Sequence, residues 1–148
     1  MILFVCTGNT CRSPMAAVLA AKLLREAGVD CAVQSAGVYA SPECNASAHA
    51  ITAMREAGCD LLTHRSQRFT NELAAQAKII LTMTSAHQDA VLTMAPAAAN
   101  KVFTLCEYAQ AGTDVSDPFG GDLRVYQQCA DQIERLLALS IGKMIQQI

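Results

Sequence analysis

Short segments of strand character alternate with longer helical segments along this chain, and this alternation limits the fold more than any other feature. An unbroken apolar run such as Ile2–Val5 is typical of a strand in a parallel sheet that is covered on both faces. Parallel strands need long crossover connections, which are right-handed. The alternation therefore predicts a three-layer α/β fold, with a short parallel sheet of about four strands and helices on both faces.

Gly, Pro and capping residues mark where the predicted elements begin and end. Ser13 is expected to cap the first helix, with Pro14 as its first residue and Gly28 just past its end. Thr70 is expected to cap a short helix that ends at Ala77. The predicted strands are Ile2–Val5, Cys31–Ser35, Ile79–Met83 and Val102–Leu105. The other predicted helices are Ala46–Ala57, Ser85–Met94 and Leu123–Ile148.

The length of 148 residues is that of one domain, and residues 1–148 are expected to form it. Lys and Arg number 11 against 13 Asp and Glu, so the net charge of -2 offers no electrostatic footprint for nucleic acid or an anionic membrane. No apolar stretch reaches the roughly 18 residues that span a bilayer, and the apolar start is too short for a signal peptide. We therefore expect a cytoplasmic monomer.

The chain has seven cysteines, an odd number that disulfides cannot pair completely. They form no Cys-x-x-Cys pair and no Cys/His cluster with zinc spacing, so reduced thiols and no metal site are expected. The histidines His49, His64 and His87 are scattered, which favours surface positions or hydrogen-bonded structural roles. Cys6 and Cys11 share one loop, where a disulfide can trap oxidised Cys6 reversibly; a small packing role for Cys11 is the alternative.

The segment Cys6–Ser13 lies between the first predicted strand and the first predicted helix. Ligands of open α/β sheets bind outside the carboxyl ends of the strands, and the free N–H groups of a helix N-terminus bind anions. Gly8 allows backbone amides to turn inward, and Asn9 tolerates left-handed backbone geometry. Arg12 presents a planar fork that matches two phosphate oxygens. The loop is therefore predicted to bind a tetrahedral oxyanion.

Cys6 lies in the same positive field, which favours the reactive thiolate. Ser13 can donate a hydrogen bond to the sulfur and stabilise it as a leaving group. The alternative is an ordinary buried thiol at the end of a strand. The Gly, Asn and Arg beside Cys6 have no obvious packing role, so we favour a nucleophile that shares one structure with the anion site.

Asp117 precedes a proline on a loop that follows the fourth predicted strand, and it should lie at the same sheet edge as Cys6. Phosphoryl transfer from a substrate requires a proton for the departing atom, and a positioned carboxyl group supplies it. Asp-Pro is also common in turns, which is the alternative role for Asp117. Together with the first loop, the general acid is the favoured interpretation.

These segments, Cys6-Thr-Gly-Asn-Thr-Cys-Arg-Ser13 and Asp117-Pro118, resemble the low-molecular-weight protein tyrosine phosphatase family, as do Ser35-Ala36-Gly37, His64-Arg65-Ser66 and Leu81-Thr-Met83. The resemblance implies that this fold hydrolyses phosphorylated proteins through a phosphocysteine, without metal or cofactor. The implied catalytic residues are Cys6, Arg12 and Asp117. The implied phosphate-binding loop consists of Thr7, Gly8, Asn9, Thr10, Cys11 and Ser13.

The chain departs from the tyrosine-specific members at Thr10, where they usually place a bulky aliphatic residue, and at Phe119-Gly120-Gly121, where they place aromatic residues. In these features it is most similar to the bacterial protein arginine phosphatases of the family. A small polar Thr10 leaves room for a guanidinium, and Tyr39 or Phe119 can stack on its plane. A neutral change of size at Thr10 and a tyrosine phosphatase are the alternatives.

A thioredoxin-coupled arsenate reductase shares this fold and a similar first loop. Such an enzyme needs two further cysteines close together, whereas residues 60–105 contain none and Cys106 and Cys129 are far apart in the sequence. We therefore favour the phosphatase. Ser35 is expected to play a supporting role by bonding to Asn9 at the base of the loop.

Overall fold

The computed structural model describes residues 1–148, and a four-stranded parallel sheet lies at its centre. The strands are β1 (Ile2–Cys6), β2 (Val33–Gly37), β3 (Ile79–Thr82) and β4 (Val102–Thr104). They stand side by side in the order β2-β1-β3-β4, and every neighbouring pair is parallel. The predicted α/β architecture is thereby confirmed.

Six helices and one short 3-10 segment connect or follow the strands. The helices are α1 (Arg12–Glu26), α2 (Ala48–Glu56), α3 (Asn71–Gln76), α4 (Ser85–Met94), α5 (Leu105–Ala109) and α6 (Leu123–Gln147), and the 3-10 segment is Pro96–Lys101. Helix α5 is absent from the elements predicted above, although Thr104 and Glu107 indicate its start. They form a capping box, in which each side chain accepts a hydrogen bond from the other's backbone N–H. No helix is both long and apolar enough to cross a membrane.

Alternate residues of β1 enter two separate apolar clusters, one on each face of the sheet. Ile2 and Phe4 pack in the larger cluster with α1, α2 and α6, whereas Leu3 and Val5 pack in the smaller one with α3 and α4. All four side chains are fully buried. Burial of each contributes about 2 kcal/mol relative to an exposed position. The two-sided burial explains why the strand is an unbroken apolar run.

Three elements begin two residues away from their predicted starts: β2, α1 and α2, the last of which begins at Ala48 instead of Ala46. The second strand begins at Val33 instead of Cys31, because Val33 is the residue that pairs with Ile2, the first residue of β1. Ser13 does not cap α1: the helix starts at Arg12, and its N-cap residue, Cys11, makes no capping bond through its side chain. The hydroxyl of Ser13 is therefore available for the loop that precedes the helix. Thr70 does cap α3, as predicted, by accepting from the N–H of Leu73.

Candidate active site

The loop between β1 and α1 is organised around Asn9, which is fully buried. Its backbone has φ of 57°, in the left-handed region, so the unusual conformation predicted for this loop falls on Asn9 and not on Gly8. The Asn9 amide nitrogen donates to Ser13 Oγ at 2.8 Å and to Ser35 Oγ at 2.9 Å. Its amide oxygen accepts from the N–H of Gln67 at 2.9 Å. The predicted bond between Ser35 and Asn9 is thus present.

Gly37, at the carboxyl end of β2, makes room for this loop. A Cβ atom there would collide with the carbonyl oxygen of Thr7 and would lie 3.0 Å from the N–H nitrogen of Asn9. The loop and the end of the strand are also joined directly, since the N–H of Tyr39 donates to the Thr7 carbonyl at 3.0 Å. Close backbone approach therefore explains this glycine.

Cys6 and Ser13 meet at the base of the loop. Cys6 is only 2% exposed, and its Sγ atom lies 2.9 Å from Ser13 Oγ. Ser13 Oγ accepts from Asn9, so its own hydrogen remains free to donate. The carbonyl of Ala36 is the other acceptor within reach, at 3.3 Å, and the sulfur is nearer. When Cys6 is ionised, Ser13 is the donor in this contact and stabilises the negative charge on the sulfur.

Arg12 connects this loop to the late loop that carries Asp117. Its Nη1 donates to the carbonyl of Val115 at 3.0 Å, and its Nη2 lies 3.7 Å from Asp117 Oδ2. The other oxygen of Asp117 accepts from the N–H of Phe119 at 3.1 Å. Asp117 is therefore a turn-forming aspartate and also a carboxylate held at the mouth of the loop. The two interpretations of this residue do not exclude each other.

A single cavity of about 200 Å³ joins the two segments that the sequence separates by more than a hundred residues. Thr10 and Phe119, two of the predicted specificity residues, lie in its wall. Tyr39 does not: its ring is 82% exposed, although its backbone is bonded to the loop. The residues that line the cavity are Cys6, Thr7, Gly8, Thr10, Cys11, Arg12, Asp117 and Phe119.

Two histidines contact the loop, which the sequence analysis did not foresee. His64 Nε2 lies 2.7 Å from the carbonyl oxygen of Asn9, and His87 Nε2 lies 2.7 Å from Thr7 Oγ1. Burial lowers the pKa of His64, and burial together with the Arg12 guanidinium lowers the pKa of His87 to about 4. Both rings are therefore neutral at pH 7. The contact of His64 had a signal in the sequence, because His64-Arg65-Ser66 is one of the segments that resemble the phosphatase family. The sequence has no such signal for His87.

The thiol of Cys11, within the loop, contacts polar side chains of other elements. Its Sγ is 3.4 Å from Ser47 Oγ and 3.4 Å from the hydroxyl of Tyr126. Burial raises the pKa of this tyrosine, and burial raises the pKa of the Cys129 thiol to about 12.

All seven cysteines are free thiols. No cluster of three or more His, Cys, Asp or Glu side chains could hold a metal ion.

Comparison with known proteins gives results consistent with this geometry. Residues 1–147 match the family described as low molecular weight phosphotyrosine protein phosphatase. Two relatives, from Bacillus subtilis (strain 168) and Geobacillus stearothermophilus, carry the name protein-arginine-phosphatase. The first is 44% identical over 137 residues, which is 92% of this chain and 91% of its own length. The second is 44% identical over 138 residues, which is 92% of this chain and 90% of its own length.

A solved structure has a similar fold. It is that of YwlE arginine phosphatase, as a cysteine-to-serine mutant with a phosphorylated active site serine. It superposes with a TM-score of 0.93 at 41% identity and covers 97% of this chain and 95% of its own. The fold and the cysteine-containing loop define a phosphatase that uses a cysteine. This chain belongs to the low molecular weight phosphotyrosine protein phosphatase family of hydrolases, which confirms the resemblance drawn from its motifs.

Proposed function

We propose that this chain is a protein arginine phosphatase, which hydrolyses the phosphorus–nitrogen bond of phosphoarginine in proteins. The observation that carries the proposal is the shared cavity, which Cys6, Arg12 and Asp117 line together with the small polar residue Thr10. A threonine at this wall leaves space and a hydrogen-bonding partner for a planar guanidinium. The two relatives named protein-arginine-phosphatase support the same substrate class.

In the first step, the thiolate of Cys6 attacks phosphorus and forms a sulfur–phosphorus bond. The phosphorus–nitrogen bond breaks, its electron pair stays on the guanidinium nitrogen, and Asp117 supplies the proton to that nitrogen. Arg12 and the loop N–H groups stabilise the equatorial oxygens of the transition state. The products are unmodified arginine and a phosphocysteine. The relative whose active site serine, substituted for cysteine, is phosphorylated supports this intermediate.

In the second step, water attacks the phosphorus and Asp117 accepts one of its protons. The sulfur–phosphorus bond breaks, and Cys6 leaves as a thiolate that accepts the hydrogen bond of Ser13. Inorganic phosphate is released. The carboxylate thus acts first as an acid and then as a base, which its 54% exposed side chain permits because water and the leaving group both reach it.

The remaining loop residues hold or enclose the phosphate. Thr7, Gly8, Thr10 and Cys11 line the cavity, whereas Asn9 lies beneath it and braces the loop together with Ser35. Phe119 in the cavity wall and Tyr39 beside it are proposed to contact the guanidinium or the adjoining polypeptide. A low-molecular-weight tyrosine phosphatase would use the same nucleophile, arginine and acid. The residues of the cavity wall therefore determine which substrate is preferred.

The proposal extends to the setting in which the enzyme acts. Its partners are phosphorylated proteins, and we propose that residues 1–148 act as one phosphatase domain, as a monomer, in the cytoplasm. The near-neutral charge balance gives it no basis for binding nucleic acid or anionic membranes through charge. Light scattering coupled to size-exclusion chromatography tests the monomer, and fractionation of the source cells tests the location.

We also propose that Cys6 is protected from irreversible oxidation by Cys11. Hydrogen peroxide converts the Cys6 thiolate to a sulfenic acid with release of hydroxide, and the Cys11 thiol then displaces water to form a disulfide. Reduction by an added dithiol restores both thiols. The two cysteines line one cavity within one loop, which brings their sulfur atoms into the same region.

The nucleophile is tested by incubating the wild-type protein and Cys6→Ser with a protein phosphorylated on arginine, under reducing conditions, and measuring released phosphate. The wild type should release phosphate, and Cys6→Ser should release none while keeping the same circular dichroism and melting temperature. Cys59→Ser, which removes a thiol outside the cavity, is the matched control and should keep full activity. Normal turnover by Cys6→Ser would overturn the proposal.

A further inference from the structure

A chain of polar contacts connects α4 to the wall of the active site. Thr84 caps α4 by accepting from the backbone N–H of His87. The same hydroxyl lies 3.0 Å from Nδ1 of the His87 ring, and the opposite ring nitrogen, Nε2, lies 2.7 Å from Thr7 Oγ1. The ring itself is 6% exposed. The proposed catalytic steps use none of these three side chains, yet the chain ends at a cavity-lining residue.

The position of Thr7 shows which part of a substrate it can contact. Cys6 and Arg12 are 2% and 5% exposed and form the deep end of the cavity, where the proposed function places the phosphate. Thr7 lines the same cavity but is exposed, so it stands at the rim. A group at the rim faces the atoms beyond phosphorus. In phosphoarginine these atoms are guanidinium nitrogens with N–H groups, and in phosphotyrosine they are an ester oxygen and an aromatic ring.

We propose that His87 is a positioning residue for substrate choice, which holds the Thr7 hydroxyl so that its oxygen accepts a hydrogen bond from the phosphorylated guanidinium. The inference rests on the proposed function and deepens it. His87 acts only through Thr7 and does not touch the substrate. A wall that offers an acceptor favours the guanidinium over a phenyl ring, because only the guanidinium supplies an N–H group to it.

The proposal assigns the single ring proton of neutral His87 to Nδ1, which is one of its two possible tautomers. One ring nitrogen of a neutral imidazole donates and the other accepts. With the proton on Nδ1, the ring donates to Thr84 Oγ1 and Nε2 accepts the hydroxyl hydrogen of Thr7. The lone pairs of Thr7 Oγ1 then remain free to accept from a substrate in the cavity. A protonated ring would donate from Nε2 to Thr7 Oγ1 and occupy one of these lone pairs. Burial lowers the pKa of His87 and keeps the ring neutral, so both lone pairs stay available.

The test compares two versions of one peptide, one with phosphoarginine and one with phosphotyrosine, and measures kcat and KM for each. The readout is the ratio of kcat/KM for phosphoarginine to kcat/KM for phosphotyrosine, in which a general loss of activity cancels. In Thr7→Val and in His87→Phe this ratio should fall about tenfold, the effect of one hydrogen bond to a charged group. Thr7→Ser keeps the hydroxyl and should keep the ratio within about twofold.

The double variant Thr7→Val/His87→Phe separates a shared role from two independent ones. Its ratio should fall no further than in Thr7→Val alone, because His87 acts through the hydroxyl. His49→Phe is the matched control, since His49 is an exposed histidine that packs against Tyr126 away from Thr7. It should keep the wild-type ratio. Circular dichroism and thermal unfolding show whether each variant is folded; Thr7→Val alters an exposed residue and tests the pair even if His87→Phe unfolds.

An unchanged ratio in Thr7→Val would overturn the inference, and so would a double variant whose loss equals the product of the two single losses. Equal losses of kcat/KM on both substrates in every variant would show that the His87–Thr7 contact only supports the loop. That result would also contradict the inference. Failure of the proposed function is a different result, because it appears in the wild type as absent hydrolysis of phosphoarginine.

Discussion

Cys6 Sγ and Ser13 Oγ lie 2.9 Å apart at the base of one loop, and the Asn9 amide donates to the same hydroxyl oxygen. This relationship matters most when the sulfur carries negative charge, before its attack on phosphorus and after its release from phosphocysteine. A donor placed on the leaving atom lowers the barrier of the second step. The loop therefore binds phosphate and also stabilises the thiolate that reacts with it.

The variant Ser13→Ala should slow breakdown of the phosphocysteine. Loss of a hydrogen bond to a charged acceptor costs about 1.5–3 kcal/mol, so kcat should fall roughly tenfold or more. Rapid-mixing experiments with an aryl phosphate should show a burst of phenol followed by a slower steady rate. Ser35→Ala removes the other acceptor of the Asn9 amide and no contact to sulfur. Equal losses in the two variants would contradict the role of Ser13.

The variant Asp117→Asn should lose activity most on substrates with poor leaving groups, because amide nitrogen cannot supply the proton. A loss of about 10²- to 10⁴-fold is expected for a substrate that needs protonation. The measurement uses a series of aryl phosphates whose phenols differ in acidity. Asp114→Asn is the control, since Asp114 lies in the same loop but accepts from Ser85 instead of facing the cavity. A loss that is uniform across the series would argue against an acid at position 117.

The variant Thr10→Ile should shift preference from phosphoarginine toward phosphotyrosine. The added bulk and the missing hydroxyl make the cavity wall apolar, which suits a phenyl ring better than a guanidinium. Thr10→Val has nearly the original shape without the hydroxyl, so it separates polarity from size. Competition between paired peptides measures the preference directly. Unchanged selectivity in Thr10→Ile would show that Thr10 does not determine which substrate is preferred.

Stability should depend on pH through His87. Its folded-state pKa of about 4 lies below the ordinary value of 6.5, so protons bind the unfolded chain preferentially between these two values. The contribution to the free energy of unfolding is complete above pH 6.5 and is lost as the pH falls toward about 4.

Urea denaturation at pH 7.5 and pH 4.5 measures this loss. Wild type should lose about 2 kcal/mol more than His87→Gln between the two values. The lowered pKa of His64 acts in the same direction and remains in the variant. Equal losses in wild type and variant would show that His87 does not carry the effect.

Oxidation should be reversible only while Cys11 is present. Wild type that has been inactivated by hydrogen peroxide should recover with dithiothreitol, whereas Cys11→Ser should proceed to the sulfinic acid and remain inactive. Mass spectrometry distinguishes the disulfide from the overoxidised product. Cys59→Ser lacks a thiol outside the loop and should recover as wild type does; full recovery of Cys11→Ser would contradict the protective role.

The parts of this structure that the sequence predicts are those with a local physical cause. The unbroken run Ile2–Val5 requires burial on both faces, and the order of strand, loop and helix around Cys6 is local in the chain. Asn9 tolerates the left-handed backbone that the loop needs, and the structure places it there. These features can be predicted from the sequence because each depends on a few residues that are neighbours in the chain.

The features that the sequence does not predict depend on which strands lie side by side in the sheet. His87 reaches Thr7 because β3 pairs directly with β1, which brings the start of α4 beside the loop. Nothing near His87 in the sequence specifies that pairing. Ser13 was mistaken for a cap because its type suits the position, whereas in the structure Cys6 and Asn9 occupy its hydroxyl. Tertiary contacts override local preference at these sites.

The substrate is identified by phosphate release from paired peptides that carry phosphoarginine or phosphotyrosine at the same position, with wild-type enzyme under reducing conditions. We expect kcat/KM to be much higher for phosphoarginine, because Thr10 makes the cavity wall polar. A higher kcat/KM for phosphotyrosine would contradict the proposed substrate and would leave the Cys6 mechanism in place.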